Sequence, residues 1–179
     1  MRVEIKNVEL SLEDLLGPEY VQAVCEAQAF LNGGQPADYL AIAREKVEFF
    51  PRTYRDRLDV LLEHVGQCVV PGLATSSPGA PTASFTKATH TEMAPLAASG
   101  FYRVGENGCL YLTTKSEHYH ASLGHDFPGY RLIQLAQRLG IPNATHNNTR
   151  GHITRLLERE LVRVANGVPR GDEATLDRI

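Results

Sequence analysis

The stretch "VVPGLATSSPGAPTAS", residues 69–84, constrains this chain more than any other. Pro71, Pro78 and Pro81 each remove a backbone donor and fix φ, and Gly72 and Gly79 raise the entropy cost of any ordered state. No helix or interior strand runs through such a sequence, so it predicts a linker or a long irregular connection. It divides the chain into a helical segment over 1–68, a connection over 69–86 and a second segment over 87–179.

The segment before it has helical punctuation throughout. Ser11 is placed to cap a short turn through Leu16, and Pro18 suits the first position of the next helix. Val21, Val24, Cys25 and Gln28 keep a helical rhythm until "NGG", Asn32 to Gly34. Pro36 opens a further helix with Tyr39, Leu40, Ala43 and Val47 on one side and Pro51 at its end. Thr53 with Asp56 resembles a capping box, and Leu58, Leu61, Leu62 and Val65 then form an apolar stripe expected to pack into a core.

Beyond the connection the rhythm changes. "FYRVGENGCLYLTT" sets apolar residues on each side of Gly105 to Gly108, the pattern of a β-hairpin. Pro128 starts a helix that runs to about Gly140. "RGHITRLLERELVRVANG" is the clearest helix. Ile153, Leu156, Leu157, Leu161 and Val164 form its expected buried stripe, and Arg155, Arg159 and Arg163 an outer row paired with Glu158 and Glu160. The fold class is therefore mixed α/β.

Composition narrows the function. A net charge of −3 argues against a general nucleic-acid binder, and no apolar run reaches the length of a transmembrane helix. The N-terminus has no apolar core of a secretory signal, so a cytoplasmic location is expected. Cys25, Cys68 and Cys109 are an odd number, widely spaced and set in apolar surroundings, which reads as small buried hydrophobes in a reducing compartment.

The segment "SEHYHASLGHDFPGYR", residues 116–131, crowds His118, His120 and His125 together with acids and tyrosines. His118 and His120 at i and i+2 share a face of an extended chain and can ligate a metal, but no acid follows at the spacing of a metal barrel or a facial triad. A cysteine nucleophile, a serine elbow and a glycine-rich phosphate loop find no motif either.

The order of elements resembles a known family. "GFYRVGENGCLYL", then "SLGHDFP", then "RLIQLAQRLG", then "HITRLLERELVRVA" is similar to the N-terminal region of the class III aminotransferases, the ornithine, acetylornithine and 4-aminobutyrate type. The likeness covers about residues 87–179. Thr113 stands where the family has an acid, and Ser116-Glu117 where it has Ser-Gly.

The resemblance implies the N-terminal part of a fold type I pyridoxal-phosphate-dependent transferase, preceded by an extra helical segment. It implies amino-group transfer from an amino donor to an oxo acid in a cytoplasmic homodimer. Gly124, His125 and Pro128 would be a structural motif. Glu117, His118, Tyr119 and His120, with Asn147, Asn148, Thr149 and Arg150, would contact substrate. Capping of the last helix by Asn148 or Thr149 is the alternative for those two residues.

Neither the family's Schiff-base lysine nor its phosphate loop is recognisable, since Lys6, Lys46, Lys87 and Lys115 are the only lysines. No catalytic, cofactor or metal residue is therefore assigned. Pyridoxal phosphate is expected only in a complete enzyme, with the remaining C-terminal part supplied elsewhere. A non-catalytic helical interaction module is the alternative, and a histidine metal-binding protein a weaker one. Neither nucleic acid nor membrane is an expected partner.

Overall fold

The computed structural model describes residues 6–77, 79–88, 90–113, 123–142 and 149–179. In chain order its elements are β1 (Glu9–Leu10), α1 (Leu12–Leu16), α2 (Pro18–Asn32), α3 (Pro36–Ala43), β2 (Val47–Glu48), α4 (Arg52–Leu62) and α5 (Ala83–Ala88). There follow β3 (Pro95–Ser99), β4 (Tyr102–Gly105), β5 (Leu110–Leu112), α6 (Arg131–Arg138), α7 (His152–Ala165) and α8 (Glu173–Leu176). The chain is mixed α/β, with two small antiparallel sheets, β1–β2 and β3–β4–β5.

Two compact units form from segments distant in sequence. One joins Met1–Leu10 to Lys46–Ile133, and the other joins Ser11–Glu45 to Gln134–Ile179. Residues on both sides of the Pro-, Gly- and Ser-rich stretch lie in the first unit, so 69–86 connects parts of one body, and α5 begins inside it.

In the first unit, Glu9 and Leu10 pair with Glu48 and Val47. This corrects the reading of Val47 as helical: α3 stops at Ala43, because pairing with a distant strand outweighs the local rhythm. The core gathers around Phe127, whose ring lies 5.1 Å from Phe50, 5.3 Å from Tyr130 and 5.8 Å from Phe49. Helix α4 starts at Arg52 behind Pro51, not at a Thr53 cap. Its stripe is only partly used: Leu58 and Leu61 are half-buried, while Leu62 and Val65 face solvent.

Cys68 and Cys109 form a disulfide across an antiparallel bridge. That overturns the expectation of three buried free thiols. Only Cys25 fits it, and burial pushes that thiol's pKa up.

The second unit packs Val21, Cys25, Ala43, Leu135 and Leu139 in its core. Ser11 caps α1 as expected, in a capping box with Asp14. Its neighbour element α2 begins at Pro18 and stops before Gly33, again as expected.

Helix α7 forms where predicted but buries none of its apolar stripe. Ile153, Leu156, Leu157, Leu161 and Val164 are all exposed, Val164 by 61 %. The arginine row is paired, but with different partners. Arg159 binds Glu173 and Asp177, both at 2.6 Å, and Arg155 donates to the Arg150 carbonyl. Only Arg163 takes an expected partner, Glu160, at 2.6 Å.

Hydrogen bonds from Arg163 and Arg170 hold the Glu160 carboxyl down from 4.5 to about 2. A depressed carboxylate stabilises the fold above its unfolded pKa and ceases to do so as it protonates in the folded state. The contribution of Glu160 is therefore present above about pH 4.5 and lost as the pH falls to about 2. A carboxyl-detected NMR titration should place the Glu160 midpoint near 2, and Glu160→Gln should abolish this part of the acid sensitivity. A midpoint at 4.5 would mean that the arginine pairing is not made in solution.

Candidate functional site

Strand β3 turns into β4 through two residues, Gly100 and Phe101, with Ser99 paired to Tyr102. Such a tight turn needs a positive φ, and Gly100 supplies it at +55°. The Gly100 N–H donates to the His125 carbonyl at 3.0 Å, and the His125 N–H donates back to the Gly100 carbonyl at 2.7 Å. Asp126, itself at φ +50°, completes the joint. Its carboxylate accepts from the Gly100 N–H and from the Ser99 hydroxyl, both at 2.9 Å.

The next residue of the same turn holds Thr113, which follows β5. The Phe101 carbonyl accepts from the buried Thr113 N–H at 2.7 Å. Thr113 and Gly124–Asp126 are thus anchored side by side on two consecutive residues. Gly124 allows this approach, because a Cβ there would lie 2.9–3.0 Å from the Gly100 backbone at φ +94°. Pro128 opens a 3-10 turn, Pro128–Tyr130, that leads into α6.

Helix α4 lies over the joint. A Cβ on Gly100 would strike Leu58, and the Tyr54 hydroxyl would sit 3.4 Å from it. That hydroxyl is buried without a hydrogen-bond partner among the described residues. Burial first, then the neighbouring Asp126 and Tyr130, raise its pKa and keep it a neutral phenol.

The residues expected to contact substrate divide unevenly. Glu117, His118, Tyr119, His120, Asn147 and Asn148 lie outside the described residues. Thr149 and Arg150 belong to the second unit, whereas Gly124, His125 and Pro128 belong to the first. Arg150 pairs with Glu158 at 3.1 Å. The N-cap of α7 is Gly151, so Thr149 does not cap the helix. Among the described residues, no three His, Cys, Asp or Glu side chains cluster as metal ligands.

The joint brings Gly124 and His125, which the sequence singles out together with Pro128, beside Gly100, Asp126 and Tyr54, which it does not. Ser99-Gly100 ahead of an aromatic residue was the available turn signal. Nothing local marks Asp126, whose role depends on a turn 26 residues earlier.

In comparisons with known proteins, the chain matches no family model, no curated protein and no solved structure.

A hollow lies in each unit among the described residues. In the first, about 180 Å³ lies beneath Arg57, Leu61, Tyr102 and Arg103. In the second, about 550 Å³ lies beside Pro18, Tyr20 and His152. The His152 ring stacks on Tyr20 at 4.0 Å, and its Nε2 lies 3.1 Å from the Leu16 carbonyl. Neither hollow is lined by a lysine, and Lys6, Lys46 and Lys87 are all exposed. An aldehyde cofactor needs a desolvated lysine beside a phosphate cradle, so the described residues lining these two hollows do not fit pyridoxal phosphate. Among the described residues, no helix is long and apolar enough to cross a membrane.

Proposed function

We propose that this chain is part of a pyridoxal-phosphate-dependent aminotransferase of the class III kind and shapes its substrate mouth and dimer interface. The observation that carries the reading is the joint at Gly100. The β4–β5 hairpin and the Gly124–Pro128 motif, which the resemblance relates only by order, are bonded to each other through one turn. Glu117, His118, Tyr119 and His120, which lie outside the described residues, are the groups assigned to meet a small amino or oxo acid. His125 acts through its backbone as a positioning residue. The lysine and phosphate loop are supplied by sequence outside these residues.

The reading predicts no saturable aldimine absorbance when the purified 179-residue chain is titrated with cofactor. Each charge-assisted contact to the phosphate contributes roughly 1.5–3 kcal/mol, and no recognisable group here makes one. Tight one-to-one binding that disappears on changing a single lysine would place the active site within this chain and overturn the reading.

The exposed stripe of α7 favours a second reading, a helical interaction module without catalytic activity. Light scattering separates the two. A module remains a soluble, cooperatively melting species at the mass of one chain. A part of a larger enzyme associates or aggregates until the rest is supplied.

A further inference from the structure

Residues 66–73, which follow α4, run as a strap along the hairpin's free side. The Gly66 N–H donates to the Leu110 carbonyl at 2.8 Å, and the Leu110 N–H donates to the Gln67 carbonyl at 2.9 Å. Farther along, the Val69 N–H donates to the Gly108 carbonyl at 2.9 Å, and the Leu73 N–H to the Glu106 carbonyl at 2.6 Å. The strap and the hairpin turn meet backbone to backbone. A Cβ on Gly108 would strike the Val70 carbonyl, and one on Gly72 would lie 3.1 Å from the Asn107 backbone.

Every residue from Gly66 to Leu73 is exposed, so no buried side chain holds the strap down. Its attachment rests on those backbone bonds and on the Cys68–Cys109 disulfide. Segments with little buried apolar surface open at low free energy, and a covalent tie is what opposes that opening.

We propose that the Cys68–Cys109 disulfide is a redox-operated clasp, and that a dithiol reductant opens it and frees the strap from the edge of β5. Cys68 is exposed and Cys109 half-buried, so the incoming thiolate attacks the Cys68 sulfur. The protein S–S bond breaks, a mixed disulfide forms on Cys68, and the Cys109 thiolate leaves and takes a proton from water. The second thiol of the reductant then attacks the mixed disulfide and releases Cys68, which is protonated in turn. The protein gains two thiols and two electrons, and the dithiol becomes a disulfide. Cys25 takes no part, being buried with its thiol pKa raised.

The test compares amide hydrogen exchange of the whole chain with and without dithiothreitol, after alkylation has established the thiol state. Protein purified without thiols should yield a linked Cys68–Cys109 peptide and one alkylatable cysteine, Cys25, only after unfolding. On reduction, exchange at Gly66, Val69, Leu73 and Leu110 should quicken by about tenfold or more, the low end of what losing such a cross-link gives. Exchange at the β3–β4 pairs, such as Tyr102 and Val104, should stay unchanged. A Cys68→Ser, Cys109→Ser double variant should show the fast pattern with or without dithiothreitol. Free Cys68 and Cys109 in the untreated protein would overturn the proposal. So would strap protection that reduction leaves unaltered, or loss of protection throughout the first unit, which would make the bond a global staple.

Discussion

Gly124→Ala should destabilise the first unit by roughly 2–4 kcal/mol, combining a backbone conformation that L residues resist with overpacking in a tight contact. The methyl group would lie 2.9–3.0 Å from the Cα, C and O atoms of Gly100, which are backbone and cannot rotate away. Relief requires the reciprocal bonds between Gly100 and His125 to lengthen, and the Asp126 carboxylate to give up its hold on the Gly100 N–H. Gly167→Ala is the matched control. It has a positive φ of +65° but nothing within 4 Å, so only the conformational part of the cost, about 1 kcal/mol, should appear. Denaturant titration of both variants gives the comparison. Equal losses would mean that the Gly124–Gly100 contact is not formed.

Leu135→Ala should cost about 2–5 kcal/mol, the range for truncating a leucine in a filled core. Leu135 is 0 % exposed on α6, and Leu139, just past the end of that helix, is 1 % exposed. Leu157→Ala should change stability by no more than about 0.5 kcal/mol, because that side chain is 56 % exposed. From the sequence the two leucines look alike, each on the apolar side of a helix. A large loss at Leu157 would show that α7 buries its stripe in solution, against a second copy or another protein.

That contrast marks what local pattern conveys. The amphipathic rhythm of α7 identifies which side is apolar, and the helix is where the rhythm puts it. Whether anything covers that side depends on the rest of the fold, which periodicity does not encode. The punctuation of α1 and α2 was legible because Ser11, Pro18 and Gly33 act on their own neighbours.

Non-local events were not legible. Val47 continues a helical rhythm yet pairs with Leu10, and the Pro-Leu-Ala-Ala-Ser of β3 has little strand propensity of its own. The cysteine pairing spans 41 residues, so spacing gave no hint of it. At the site, glycine and proline were legible as a tight turn before a helix, whereas the surface they dock on, Gly100, was not.

The most direct test is to express the complete reading frame that encodes this chain and assay the purified product for bound cofactor and amino transfer. The account predicts one pyridoxal phosphate per chain and transfer from an amino donor to an oxo acid. Replacing His118 and His120 by alanine should raise KM for the substrate and leave the cofactor bound. A product that carries no cofactor and transfers no amino group would contradict it.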